Sequence, residues 1–340
     1  MSLVKRTAPR FAWFTLSGLL ALSFFVAIAF GSVDLSIVDV VRALTGQPLE
    51  GYGAAIVHSI RLPRALLAAS VGAILAISGA YLQGLFRNPL ADPSLIGVTA
   101  GASVGASVAI VFGAGGLGFV SGLSLVSLGA FGGGLLAVWL VYKVSSSING
   151  TSVATMLLMG IAVSALAASL TGLMDYFADN EMLRRLSLWR MGGLDGANYW
   201  RAGIAAAVLL VMLLSMGGFS HALNTLLLGE SQARHLGVDV ERLKTRLIIL
   251  VAGGVGVSVA MAGSIAFVGL VVPHMVRLWV GPDHRLLLPL SALGGASLLL
   301  LADTFARVVI APTELPVGLV TAILGAPFFI SLLKSRRDLQ

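Results

Sequence analysis

Apolar residues fill this chain in long blocks separated by short polar breaks. The blocks cover residues 11–30, 62–82, 94–112, 119–142, 151–174, 202–216, 247–262, 265–280, 286–302 and 317–333. An α-helix needs about 20 predominantly apolar residues to cross a bilayer, and most blocks approach that length. The sixth can begin as early as Tyr199. The pattern predicts an all-α polytopic membrane protein: ten transmembrane helices in a single domain over 1–340, with both termini on one side. The breaks differ in character. Residues 31–60 and 175–201 are polar outer segments, each with room for one short helix. Residues 83–93 form an inner turn, 143–149 a short inner loop, 282–285 a tight loop and 303–316 an outer turn.

The longest charge-bearing break runs from His221 to Arg246. It holds Glu230, Arg234, Asp239, Glu241, Arg242, Lys244 and Arg246, with His221 and His235. Its first part reads as two short helical pieces, 222–228 and 230–236. Gly229 separates them and Gly237 follows, each a natural helix stop. Leu223, Leu226, Leu227 and Leu236 give the pieces an apolar side. Neither piece can span a bilayer, so the island is expected to be a cytoplasmic foot on which a partner outside the membrane acts.

Composition sharpens this picture. The 340 residues are 57% hydrophobic and only 11% charged, against about 25% charged in soluble domains. Mean hydropathy is +0.97 and the pI is near 10.2. The basic balance follows from Lys and Arg gathered on the side that holds the foot, as the positive-inside rule requires, rather than from nucleic-acid binding. The absence of cysteine excludes disulfides, thiol catalysis and thiolate metal sites. Lys5, Arg6 and Arg10 precede the first block, and residues 27–29 resemble a signal-peptidase site. A signal peptide's apolar region is typically about 7–15 residues, so the longer block reads as a retained first helix.

The 41 glycines point to close helix packing, which small residues permit in lipid. Gly101 and Gly105 have the required spacing, as do Gly129 and Gly133. Gly101 to Gly105 also matches the G-x-S-x-G form of a serine nucleophile, but that motif needs a strand–turn–helix setting and triad partners. It falls here in a predicted span, and all five histidines fall at or near helix ends. Asn149-Gly150-Thr151 fits a glycosylation sequon on the wrong side of the membrane. Gly79 precedes Pro89 by ten residues and Gly263 precedes Pro273 by ten. That spacing suggests an inverted repeat of helices 2–5 and 7–10, a design of transporters. None of the four lysines sits in a Walker loop, so the chain is not itself an ATPase.

Four long stretches carry a resemblance. They are LQGLFRNPLADPSLIGVTAGAS (82–103), LLLGESQARHLGVDV (226–240), AFVGLVVPHMVRLWVGPDHRLLLPLSALGGASLLLLADTFAR (266–307) and ELPVGLVTAILGAPFFI (314–330). With Arg61-Leu62-Pro63-Arg64, they resemble the permease family of ABC importers for iron–siderophores, haem and cobalamin. The resemblance covers most of the chain after residue 60. It implies a permease homodimer in the bacterial inner membrane with both termini cytoplasmic. It also implies two ATPase subunits, which carry the ATP and magnesium, and a periplasmic binding protein. No cofactor is implied in this chain.

The resemblance also assigns residues. Arg61, Arg64 and Arg307 match outer arginines that meet glutamates of the binding protein, although Asp303, four residues before Arg307, offers a local helical partner. Arg184, Arg185 and Arg190 form another outer basic cluster. The foot matches the family's coupling segment over 221–239, with Leu223, Leu226, Leu227, Gly229, Glu230, Ala233, Arg234, Leu236 and Gly237 docking in a groove on each ATPase. Asn88, Leu90, Thr151 and Ser152 match inner-gate positions. The wording GESQARHLGVDVERL and GPDHRLLLP is most similar to the haem branch, with siderophore and cobalamin behind it. Met156, Met159 and Met212, inside spans, read as packing rather than ligands. An ion-coupled secondary transporter is the rival class; it would carry carboxylates or histidines within the bilayer.

Overall fold

In hydrocarbon a backbone has no water to bond, so each spanning segment must close its own hydrogen bonds, and a helix does this within one segment. The computed structural model describes residues 9–48, 51–113, 125–148 and 150–337, and it follows that rule throughout. Among the described residues, seven helices are long and apolar enough to cross a membrane, by length and composition. They are α1 (Pro9–Ala29), the rod Gly53–Leu85, α6 (Leu125–Ser145), α7 (Val153–Phe177), α9 (Tyr199–Leu226), α11 (Val240–Ala262) and α13 (His284–Val308). The rod joins α3 (Gly53–Ala55), a π-helical turn (Ile56–Arg61) and α4 (Leu62–Leu85). Three more are apolar but shorter: α5 (Val98–Phe112), α12 (Val268–Val280) and the apolar part of α14 (Val317–Arg337). Every apolar block of the sequence thus became a helix, and seven reach full spanning length. The start expected at residue 119 for the fourth block lies outside the described residues, as does Asn149 of the sequon.

Polar breaks became caps and short elements. Ser152, Asp179, Asn198, Asp239 and Asp283 each accept a backbone N–H in the first turn of α7, α8 (Asn180–Met191), α9, α11 and α13. Such side chains satisfy donors that a helix start leaves unpaired. The outer segments carry the expected short helices, α2 (Ile37–Leu44) and α8. The inner loop pairs Ser146 with Thr151 and Ser147 with Gly150 in a minimal antiparallel hairpin, β1 (Ser146–Ser147) and β2 (Gly150–Thr151).

Glycine pairs set the closest approaches. A Cβ on Gly101 would stand 2.3 Å from the carbonyl oxygen of Gly133, and one on Gly105 1.9 Å from that of Gly129. The two predicted small-residue motifs therefore face each other, locking α5 onto α6. Gly72 of α4 and Gly295 of α13 repeat the arrangement, at 2.2 and 2.3 Å. Packing follows an exchange of the two halves: α4 lies on α13 and α12, as α11 lies on α6 and α5. This is the relation that an inverted repeat of helices 2–5 and 7–10 produces.

Three expectations need correction. The eighth helix starts at Val268, not 265. Gly263 and Phe267 both have positive φ, because residues 263–267 bend past the end of α8 and seat Phe267 against Gly325. Asp303 does not begin an outer turn: α13 continues to Val308, and Asp303 is buried within it. His274 is not at a helix end but in the middle of α12, buried.

Candidate functional site

The candidate residues fall at two opposite ends of the helix bundle, joined by α4 and α13. At one end α4 begins and α13 finishes. Arg61 donates to the carbonyl oxygens of Ile28 (2.8 Å) and Ala29 (2.6 Å) and to that of Val33. It thereby satisfies the last carbonyls of α1, where a helix carries partial negative charge. Gly31 leaves room for it, since a Cβ there would meet its guanidinium at 3.2 Å. Arg64 grips Asp303 through Nε and Nη2 at 2.9–3.1 Å and donates Nη1 to Glu314 at 2.8 Å. Arg307 lies 3.1 Å from the same Asp303 and donates to the carbonyl of Ala27 at 3.0 Å.

This cluster corrects the docking assignment. Arg61, Arg64 and Arg307 are 2%, 6% and 3% exposed, and each is held by partners within the chain. A guanidinium fixed bidentately by a buried carboxylate is a brace, not a free cationic surface. The local Asp303–Arg307 pair that the four-residue spacing offered is real. Asp303 is also a buried carboxylate inside a helix, which sequence reading did not find; Arg64 and Arg307 both pair with it. In the outer cluster of α8, Arg185 pairs with Glu181 and Arg190 with Asp175.

At the other end lies the foot. Its first expected piece is not separate, because α9 runs unbroken to Leu226. Only the second stands alone, as α10 (Glu230–His235). Leu223, Leu226 and Ala233 are fully buried in this chain's own core. Leu223 packs beside Gly84, at the end of α4, where a Cβ would lie 3.1 Å from its methyl. They therefore anchor the foot and do not form its contact face. Leu227, Leu228 and Leu236 are exposed, at 38%, 63% and 64%, with Arg234 and Gly237 beside them. Gly229, at φ 113°, makes the turn between α9 and α10.

The expected gate positions border this foot. Asn88 is exposed and its side-chain oxygen accepts the N–H of Leu90 at 3.0 Å, closing the turn after α4. Arg87, in the same turn, reaches Gly229. Ser152 is an exposed helix cap, whereas Thr151 is buried. The backbone of Thr151 is held on both sides: its N–H by Glu241 (2.8 Å) and its carbonyl by Lys244 (2.8 Å). Sequence reading saw Glu241 and Lys244 only as charges in the island.

Asn224 and Asp283 complete this end. Asn224 donates to Asp283 at 2.6 Å and accepts from the backbone N–H of His284 at 2.8 Å, tying α9 to the start of α13. Burial favours protonation of Asp283. The Arg285 N–H, the Asn224 amide and the charges of Arg285 and His284 outweigh it and hold the carboxyl below its ordinary range.

Geometry thus gives an apolar helical body with a braced end and, opposite it, an exposed foot. The profile of the FecCD transport family matches residues 19–335. The chain belongs to that family. A similar protein is the hemin transport system permease protein HmuU of Yersinia pestis. It is 45% identical over 285 residues, 82% of this chain and 83% of that protein. The cobalamin import system permease protein BtuC of Halobacterium salinarum is 46% identical over 285 residues, 83% of this chain and 74% of that protein. A solved structure described as an inward-facing conformation of a metal-chelate type ABC transporter superposes with a TM-score of 0.81 at 33% identity. The match covers 96% of this chain and all of that one. A FecCD protein of this kind is a transport permease subunit.

Proposed function

We propose that this FecCD chain is the permease subunit of a bacterial inner-membrane ABC importer that carries haem or a related iron chelate inward. The observation that carries the proposal is the foot: exposed Leu227, Leu228 and Leu236 with a charged rim of Glu230 and Arg234, on elements anchored in the core by Leu223, Leu226 and Ala233. An apolar centre with a polar rim is the make-up of a protein contact. Two ATPase subunits, holding ATP and magnesium, dock there on a homodimer of this chain, whose termini face the cytoplasm. Asn88, Leu90, Thr151 and Ser152 border the inner constriction.

A periplasmic binding protein delivers the chelate to the opposite end. The brace of Arg61, Arg64 and Arg307 supports this docking surface from beneath. An ion-coupled transporter is disfavoured because the buried carboxylate of Asp303 is taken up in ion pairs with Arg64 and Arg307.

HmuU supports haem as cargo. BtuC, at 46% identity against 45% for HmuU, keeps cobalamin as the second reading. Uptake into proteoliposomes holding this permease with its cognate ATPase and binding protein tests both. Haemin accumulation that requires ATP supports the proposal, and cobalamin accumulation alone moves the cargo. Transport that persists with an ATPase-inactive partner overturns the mechanism.

A further inference from the structure

Lys244 stands apart from every other lysine or arginine at the foot. Its side chain is 3% exposed, and its three ammonium protons meet three acceptors on three different elements. They are the Thr151 carbonyl at the hairpin (2.8 Å), Glu230 at the start of α10 (3.0 Å) and Glu241 in the first turn of α11 (3.1 Å). An ammonium has three donors and no more, so this one is saturated. Glu241 closes the loop by accepting the Thr151 N–H at 2.8 Å. Gly150 permits that approach: its φ is 106°, and a Cβ there would stand 2.8 Å from a Glu241 oxygen. A second tie, Tyr142 to Thr245 at 2.7 Å, fixes the end of α6 to α11.

Without Lys244, α10 keeps weaker links to this cluster. Arg234 lies 3.5 Å from Glu241 and 3.8 Å from Glu230 and is more than half exposed. Exposed pairs of that kind are worth little. The buried ammonium is different. Leaving one acceptor unpairs a donor on a side chain that is itself 3% exposed, so the three elements it joins respond together.

We infer that Lys244 is a positioning residue that makes the foot helix α10 and the α6–α7 hairpin one mechanical unit, so that a push on α10 displaces Thr151 and the start of α7. The inference rests on the permease reading above and extends it by naming the link between ATPase contact and membrane helices. Lys244 touches no cargo. Its work is to convert motion of the foot into motion of the hairpin.

The test uses the reconstituted complex of permease, ATPase and binding protein, with haemin and cobalamin as probes. Native transport and ATP hydrolysis are measured first; absence of both would overturn the permease reading and this role with it. Lys244→Met then keeps ATPase binding and hydrolysis, but transport per ATP falls roughly tenfold, a typical size for a broken coupling between sites. Lys244→Arg, which retains charge and several donors, recovers most of the ratio. If Lys244→Met does not assemble, Glu241→Ala serves, since Glu241 lies outside the proposed ATPase contact and its loss removes the acceptor shared by Lys244 and the Thr151 N–H. Unchanged transport per ATP in the assembled variant overturns the inference.

A second readout separates linkage from mere stability. The chain has no cysteine, so Ser231→Cys and Ile148→Cys, both at exposed positions, accept spin labels without background. The distance between labels is expected to stay constant between nucleotide-free and ATP-trapped complexes in the native background. It is expected to change between them in Lys244→Met or, where that variant does not assemble, in Glu241→Ala. A native distance that itself changes through the cycle overturns the inference.

Discussion

Arg64 and Asp303 lie 239 positions apart in sequence and meet through three hydrogen bonds of 2.9–3.1 Å. This pair joins the start of α4 to the end of α13, and Arg307 adds a second guanidinium to the same carboxylate. Replacing Asp303 with Ala strands two buried arginines. Breaking a buried pair in this way costs about 3–5 kcal/mol, so D303A is expected to lower the melting temperature in detergent sharply. Glu314→Gln, at a partner 30% exposed, is expected to cost about 1 kcal/mol or less. Equal effects of the two would remove the brace.

Helix contact through glycine predicts a steep positional contrast. A Cβ on Gly79 would fall 1.7 Å from the Gly269 carbonyl oxygen, whereas one on Gly217 meets nothing within 4 Å. Overpacking typically costs about 1–3 kcal/mol. Gly79→Ala is expected to cost at least that, seen as reduced folded yield and earlier thermal unfolding, while Gly217→Ala is expected to behave as the native chain.

The foot's leucines divide by burial. Leu223→Ala removes a fully buried side chain and is expected to destabilise the fold by about 2–5 kcal/mol. Leu228→Ser and Leu236→Ser alter exposed positions, so thermal stability should hold while co-purification of the ATPase falls. Retained association in the double serine variant would move the contact elsewhere.

Asp283 supplies a pH signature. Its carboxyl titrates below the ordinary value in the folded chain, so folding favours the charged form. The resulting stability is fully present above the unfolded value of about 3.9 and is lost as pH falls through the lower folded value. The melting-temperature gap between the native chain and Asp283→Asn is therefore expected to be widest near neutral pH and to close on acidification. A gap that persists below pH of about 2 would show that the carboxylate charge is not its source.

Much was legible in the sequence because its causes are local. Apolar blocks become helices wherever water is absent, polar residues at their edges become caps, and four-residue glycine spacing puts two bare backbones on one helix face. The facing of Gly101 and Gly105 on Gly133 and Gly129 was written in that spacing, as were the short helices α2 and α8. The resemblance marked the foot and the outer arginines as special.

Only the tertiary structure decided which way those residues look. An arginine at a helix start can face water or a carboxylate 239 positions away, and the sequence around Arg64 is the same in either case. Leu223 and Leu228 read alike as apolar residues of one island, yet α9 turns the first onto Gly84 and leaves the second exposed. Lys244 looked like one charge among many until folding placed Thr151, Glu230 and Glu241 around its three protons. Burial and hydrogen bonding depend on what other segments bring to the same point, while helix formation and glycine spacing are set within a few residues.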